Sequence, residues 1–251
     1  MKVAFEKPEA LTDAHFTFCP GCTHGVTIRL MAEVIDELDL RKKAVGIAPV
    51  GCSVFVYENF NCDMIQASHG RAPAVATGVK RTVPDAFVFA YQGDGDIIAI
   101  GTTEIVHAAA RGENISIVFA NNGVYGMTRG QIAPTTIPGQ KTTTSPLGRD
   151  PALEGYPVRV CEMLATLDGP AYIARVTVTQ PKYVRQAKRA IKKAFQAQVE
   201  GRGFSLVEVL SSCPGCWGLP PDEALKWAEE NMMPYYPLGE FVGGDEGKDN
   251  G

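Results

Sequence analysis

The sequence predicts an α/β domain with a mostly parallel sheet flanked by helices. Three observations lead there. Helix-type and strand-type segments alternate along the 251 residues, the strands are continuous apolar runs, and no repeat or composition break marks a second domain. Continuous runs imply strands buried on both faces, which is the signature of a parallel sheet covered by helices. One domain is expected over 1–240, with a disordered tail over 241–251.

HGVTIRLMAEVIDELDL (24–40) carries Val26, Leu30, Val34 and Leu38 at helical spacing. AVGIAPV (44–50) is a short apolar strand ending in Gly51-Cys52. HGRAPAVATGVKRTVP (69–84) is a helix of small residues stopped by Pro84. AFVFAYQ (86–92) is a buried strand running into Gly93-Asp94-Gly95. IIAIGTTEIVHAAARG (97–112) is a helix capped by Gly112, and ISIVFA (115–120) is a strand ending at Asn121-Asn122. Residues 123–157 are rich in Gly, Thr and Pro without a period. Inside a compact domain such a stretch is a functional loop more often than a linker. Then come a helix (158–169), a strand (171–178), a long basic-faced helix opened by proline (181–201), a last strand (204–210) and a short helix (224–232).

A hydrophobic content of 45% and a formal net charge of −4 describe a soluble globular chain. They give no reason to expect a nucleic-acid or membrane-surface partner. MKVAFEKPEALTD lacks the apolar core of a signal peptide, and the run over 97–110 is broken by polar residues, so no membrane span is expected and the protein is placed in the cytoplasm. In that compartment seven cysteines are metal ligands or buried thiols rather than a disulfide framework.

Ligands of open parallel sheets bind at the carboxyl ends of strands. Cys52, Asp94, Asn122 and Cys213 each follow a predicted strand, which puts four potential ligands on one rim. Glycines beside Asp94 let the backbone turn tightly and approach a phosphate, and the helix that follows points its N–H groups there. An Asp carboxylate, an Asn carbonyl and diphosphate oxygens are the hard donors Mg²⁺ prefers. The tetrad CPGC occurs twice, at 19–22 and 213–216. By residue type, Cys19, Cys22, Cys213 and Cys216 match a structural zinc site.

GDG followed by NN resembles the diphosphate motif of thiamine-diphosphate enzymes. Together with FCPGCTHG, APVGCSV, SHGRAPAVATGVK, NNGVYGMTRGQ and KTTTSPLGRD it is similar to the β subunit of the 2-oxoacid:ferredoxin oxidoreductases, of branched-chain 2-oxoacid or 2-oxoglutarate type. The likeness runs from about residue 15 to the PYYPLGEF near residue 241. It implies the thiamine-diphosphate-binding, diphosphate-domain fold. It also implies Mg²⁺ on Asp94, Asn122 and the Val124 carbonyl, and a cofactor lined by Gly93, Asp94, Gly95, Asp96, Asn122, Val124, Cys52, Ser53 and His69. It further implies a 4Fe–4S cluster on Cys19, Cys22, Cys52 and Cys213, with Cys216 outside the ligand set. Iron–sulfur potentials are tuned by hydrogen bonds and burial around such thiolates.

The activity implied is oxidative decarboxylation of a 2-oxo acid to an acyl-coenzyme A and CO₂, with electrons passing through the cluster to ferredoxin. His69 and Arg129 are candidates for catalytic contact. Arg129 departs from the glycine usual in the family and could pair with a distal carboxylate. Thr128, Gln131, Lys141 and Thr142–Thr144 lie on the same substrate-side loop. His24 and His107 have weaker claims, and Cys62 and Cys161 are expected to be structural. The glutamate that activates thiamine is expected from an α subunit, because Glu104 and Glu113 read as surface residues; γ and δ subunits complete the expected assembly. Two alternatives stay open, a zinc-stabilised Cys₄ assembly subunit and a cluster-free thiamine decarboxylase or synthase half.

Overall fold

Apolar runs become strands here because side chains on either face of the sheet find helices to cover them. The computed structural model describes residues 6–244. The chain begins with α1 (His24–Glu37), β1 (Ala44–Ala48), α2 (Val56–Asn59), β2 (Asp63–Gln66), α3 (Ala72–Thr82), β3 (Phe87–Gly93), α4 (Thr102–Ala110) and β4 (Ser116–Asn121). A small hairpin of β5 (Val124–Tyr125) and β6 (Gln131–Ile132) follows, then α5 (Pro151–Glu154) and α6 (Val160–Leu164). The rest is β7 (Pro170–Thr177), α7 (Pro181–Val199), β8 (Phe204–Leu210), α8 (Pro214–Trp217), α9 (Pro221–Trp227), α10 (Met233–Tyr235) and β9 (Gly239–Val242).

The main sheet has seven strands in the order β2-β1-β3-β4-β8-β7-β9. All neighbours are parallel except β7 and β9. Successive side chains of a strand point to opposite faces, and β3 sorts its residues accordingly. Phe87, Phe89 and Tyr91 enter a core with α1 and α7, whereas Val88 and Ala90 enter a second core with α3, α4 and α6. Proline at the first turn of α7 and an apolar stripe of Ala187, Ala190, Ile191, Ala194 and Phe195 seat that helix on the first face. A third, smaller cluster joins Ile137 and Leu210 to Ala228, Met232 and Tyr236. Chain order reverses between β1 and β3, because β1 leads outward to β2 and β3 leads the other way to β4. Loops leaving the two strands diverge there and open the crevice where α/β proteins bind ligands.

Several elements differ from the sequence expectation. Of the expected stripe, Leu30 and Val34 are buried but Val26 is exposed, and α1 also buries Thr27, Ile28, Met31 and Ile35. Strand β2 was not expected: it is a short edge strand with mostly exposed side chains, so it carries no apolar signal. The helix expected over 97–112 is split into a π-helical turn at Asp96–Ile100 and α4. The helix expected over 158–169 shrinks to α6, and α9 passes through a π-helical turn, Ala228–Met232, into α10. The tail expected to be disordered from 241 is corrected at its start. Val242 pairs with Ile173 of β7, and Phe241 packs on the Arg175 guanidinium at 5.0 Å. The remainder, 245–251, lies outside the described residues, as do residues 1–5. No helix among the described residues is long and apolar enough to cross a membrane.

Phe195 is fully buried and meets Phe87 edge-on at 4.9 Å between centroids, at the centre of the α7 contact. Phe195→Ala should cost about 3–5 kcal/mol of unfolding free energy in a denaturant titration. A loss under about 1 kcal/mol would place the main core elsewhere.

Candidate functional site

The crevice between β1 and β3 is closed by one side chain. Asp96, which opens the π-helical turn after β3, is buried, and its Oδ1 accepts from the Gly70 N–H at 2.9 Å and from the Val50 N–H at 3.3 Å. The same oxygen receives His69 Nδ1, and Oδ2 receives Gln92 Nε2, both in short contacts. Four donors from the loops after β1 and β2 and from β3 therefore converge on one carboxylate. The Nδ1 contact requires a proton on that nitrogen, which leaves His69 Nε2 as the other functional edge of the ring. Gly70 and Gly101 let the two loops touch backbone to backbone. A Cβ on Gly70, whose φ is +78°, would sit 2.6 Å from the Gly101 nitrogen.

Cys52, Ser53, His69, Gly93, Asp94, Gly95, Asp96, Asn122 and Val124 all line the resulting cleft of about 590 Å³, part of it open to solvent. Every residue expected to line the cofactor is thus brought together. His24, Val50, Tyr125, Met127 and Thr128 complete the walls. Asp94 Oδ2 accepts from the Gly123 N–H at 2.8 Å and from Thr135 Oγ1 at 2.6 Å. Oδ1 accepts only from Gly95 N–H, at 2.8 Å, and so keeps acceptor capacity for a cation. Asn122 Oδ1 receives the Val124 N–H at 3.1 Å, a turn that Gly123 permits with φ +67°. The carboxylate, the amide and the open glycine turn fit a hydrated Mg²⁺ carrying a diphosphate.

Beside this cleft lies a nest of thiols. The two CPGC segments dock on one another: Ser212 Oγ donates to the Gly21 carbonyl at 3.2 Å, and Gly21 packs on Pro221. Each tetrad is a turn, closed by Cys22 N–H to Cys19 O at 3.0 Å and Cys216 N–H to Cys213 O at 3.2 Å. Burial pushes the Cys52 thiol up to about 12, and the nearby Cys22, Cys216 and Cys19 add to it. Burial also raises Cys22, against a hydrogen bond from the His24 backbone, and raises Cys213, helped by Cys216. Thiols so placed keep their protons unless a positive metal centre displaces them by binding the thiolate. Among the described residues, no three His, Cys, Asp or Glu side chains close on one ion-sized point.

The β5–β6 turn separates cleft and nest. A Cβ on Gly126 would stand 3.1 Å from Cys52 Sγ and 3.6 Å from Cys213 Sγ, and one on Gly130 would stand 2.9 Å from Cys216 Cβ. Cys216 Sγ donates to the Gly126 carbonyl at 3.3 Å. On the other side, the Tyr125 ring fills the space a Cβ on Gly95 would need. The turn is thus held between the thiols and the diphosphate loop.

The remaining candidates separate clearly. Arg129 is exposed on this turn at φ +79°, next to Thr128 but outside the cleft lining. Thr128 and Gln131 bond each other at 2.5 Å, Thr142 bonds Ser145 at 2.6 Å, and Thr144 accepts the Ile132 N–H at 3.0 Å, so these residues brace the loop. Lys141 is exposed, and His107 sits in the last turn of α4. His24 is buried, its Nδ1 is 2.5 Å from Tyr91 Oη, and burial lowers it to about 4. Cys62 packs against the core beside Met64, as expected. Cys161 is buried but bonded to Glu208 Oε2 at 3.1 Å rather than only packed among apolar groups. Glu104 and Glu113 are corrected: Glu113 is 7% exposed and binds Arg81 and Arg111, and Glu104 pairs with Arg71. Neither lines the cleft.

Burial raises the Asp94 carboxyl from 3.8 to about 6, against the hydrogen bonds from Thr135, Gly95 and Gly123. In the metal-free fold its stabilising contribution is present below 3.8 and is lost as pH rises through about 6. A cation needs the ionised form, so Mg²⁺ affinity should fall about tenfold per pH unit below that point. Calorimetric titration at pH 5 and pH 7.5 checks this, and equal affinities would remove Asp94 from the ligand set.

Residues 50–209 match the family of thiamine pyrophosphate enzymes, C-terminal TPP binding domain. The chain is 46% identical over 237 residues to the ketoisovalerate oxidoreductase subunit VorA of Methanothermobacter thermautotrophicus, covering 94% of this chain and 50% of that protein. It is 36% identical over 222 residues to the 2-oxoglutarate synthase subunit KorB of Methanocaldococcus jannaschii, covering 86% of this chain and 78% of that one. The chain therefore spans about half the length of the VorA relatives it matches. A solved 2-oxoglutarate:ferredoxin oxidoreductase from Magnetococcus marinus, with 2-oxoglutarate, coenzyme A and succinyl-CoA bound, superposes with a TM-score of 0.77 at 29% identity, over 91% of this chain and 74% of that one. A cleft built from GDG and NN at adjacent strand ends, in a chain alike to these subunits over most of its length, places the protein in the thiamine-pyrophosphate-binding subunit family of the 2-oxoacid:ferredoxin oxidoreductases.

Proposed function

We propose that this chain is the thiamine-diphosphate-binding β subunit of a coenzyme A-dependent 2-oxoacid:ferredoxin oxidoreductase. The observation that carries the reading is the shared wall: the Gly126 turn touches Cys52 and Cys213 while its flanking residues line the Asp94–Asn122 cleft. A redox group beside a decarboxylation site serves single-electron oxidation.

Asp94, Asn122 and the Val124 carbonyl would hold Mg²⁺, and the Gly93–Gly95 turn would admit the diphosphate. Cys19, Cys22, Cys52 and Cys213 would hold a 4Fe–4S cluster. The inclusion of Cys52 in the nest favours this set over a Cys₄ zinc site, which has no use for it. When bound, thiamine diphosphate supplies the carbanion for decarboxylation and the cluster accepts electrons one at a time. His69, oriented by Asp96, presents Nε2 to hold or move a proton in the cleft. Arg129 stands on the turn at the cleft mouth as the candidate to meet substrate or the partner subunit. Among the described residues, the carboxylates lining the cleft are Asp94 and Asp96, and both are engaged by protein donors. The activating glutamate is therefore assigned to an α subunit, with γ and δ subunits and ferredoxin completing electron transfer in the cytoplasm. A branched-chain 2-oxo acid is the preferred substrate over 2-oxoglutarate, because the VorA relative is the more similar and Val50, Val124 and Met127 give the cleft apolar walls.

The test is anaerobic purification with the partner subunits, followed by iron, sulfide, zinc and thiamine analysis. The wild type should carry iron, sulfide and thiamine. Cys213→Ala should lose the iron, and Cys216→Ala should keep most of it. Ketoisovalerate should give a higher kcat/KM than 2-oxoglutarate, and the chain alone should not turn over. Zinc in place of iron, with Cys216 essential, would replace this reading by that of an assembly subunit.

A further inference from the structure

Two opposite charges stand in the middle of neighbouring buried strands, where an apolar pair is the ordinary choice. Arg175 of β7 and Glu208 of β8 are register partners, and both are fully buried. Arg175 Nε donates to Glu208 Oε2 at 2.8 Å, and its two terminal nitrogens donate to Glu162 at 3.0 and 2.5 Å. One of them also donates to the Pro237 carbonyl at 3.1 Å. The guanidinium lies against the rings of Tyr236, at 5.1 Å, and Phe241, at 5.0 Å. Replacing such a pair by apolar residues is often neutral or stabilising, so its presence asks for a reason other than stability.

Both directions out of this pair end at the same atom. Glu208 Oε1 accepts from Asn121 Nδ2 at 2.7 Å, and Asn121 Oδ1 accepts from the Gly123 N–H at 3.2 Å. That N–H is the one shared with Asp94 Oδ2 at 2.8 Å. On the other side, the Tyr236 hydroxyl donates to the Thr135 carbonyl at 2.8 Å, and Thr135 Oγ1 donates to Asp94 Oδ2 at 2.6 Å. The two donors that occupy Asp94 Oδ2 are thus each fixed by a separate arm from Arg175.

We propose that Arg175 is a positioning residue for Asp94, acting through Glu208–Asn121 on one arm and Tyr236–Thr135 on the other. With Oδ2 held by both arms, Oδ1 is the oxygen left to meet the cation. Asn121, the first residue of the NN pair, then anchors the loop and leaves direct contact to Asn122. The C-terminal segment carrying Tyr236 and Phe241 takes part in cofactor binding without touching it. The inference rests on the reading of Asp94 as a Mg²⁺ ligand.

The experiment uses the complex of this chain with its partner subunits, stripped of divalent cation and resupplied with thiamine diphosphate. Mg²⁺ binding is followed by calorimetry, and turnover is measured against Mg²⁺ concentration. Asn121→Ala and Tyr236→Phe should each weaken Mg²⁺ binding by about tenfold or more, as loss of outer-shell partners commonly does. Turnover at saturating Mg²⁺ should recover. Glu208→Gln combined with Asn121→Ala should weaken binding no more than the stronger single variant, because both lie on one arm. Asn121→Ala combined with Tyr236→Phe should weaken it further. Glu208→Gln perturbs a buried charge and can fail to fold, whereas Tyr236→Phe removes one hydroxyl and keeps the ring on Arg175. A merely structural role would lower the thermal midpoint and leave Mg²⁺ affinity at the wild-type value in both Asn121→Ala and Tyr236→Phe; that result overturns the inference. A wild-type complex that takes up neither Mg²⁺ nor thiamine diphosphate would instead remove the thiamine reading, and this inference with it.

Discussion

The buried carboxylate of Asp96 is the joint on which the site depends. It is placed where the sheet reverses its order, and it receives the backbone of Val50 and Gly70 and the side chains of His69 and Gln92. Without those bonds the loops after β1 and β2 would have no common partner, and the two buried donors, Gly70 N–H and Gln92 Nε2, would be left unsatisfied at a cost of about 1–3 kcal/mol each. Three of the four donors meet Oδ1, so the carboxylate is engaged chiefly in joining the loops. Asp94, two residues earlier, is held differently: one oxygen is occupied twice and the other once. Neighbouring residues of the same type thus divide the work, one assembling the cleft and the other facing it.

A second division runs through the hairpin turn after β5. Glycine at 126 and 130 lets the chain pass between the thiols and the diphosphate loop with almost no spare volume. The turn is short and its outer residues, Met127, Thr128 and Arg129, are exposed at the cleft mouth. Holding Arg129 at φ +79° costs about 1–2 kcal/mol that a glycine would not pay. The thiol nest, the turn and the cleft are one packed unit, so a change in the nest is felt at the cofactor loop through van der Waals contact.

The alternation of helix and strand was legible because strands buried on both faces need near-continuous apolar runs; β3 and β4 have them, and β7 and β8 have them but for one charge each. Where burial is partial the signal disappears: β2 is an exposed edge, and β9 forms from residues whose partner, β7, lies some 65 positions away. The cleft residues were legible as motifs, since Gly93–Asp96 and Asn122 carry a spacing tied to diphosphate chemistry. The support behind them was not. Asp96 bonds to groups 26 and 46 residues away, and Tyr236 reaches Thr135 across 101 residues. One clue was present in the text: a lone Glu in FSLVEVL and a lone Arg in AYIARVTV, charges in otherwise apolar strands, which register makes partners.

By itself the sequence determined the α/β class, the family and the strand ends that line the cleft, because periodicity and short motifs are local properties of the chain. Tertiary structure alone decided which of the seven cysteines share a nest, that Cys216 meets the Gly126 carbonyl, and that Arg175 stands behind Asp94 on two arms. Those facts depend on strand order and register, and contacts between distant segments are fixed only when the two cores close on both faces of the sheet.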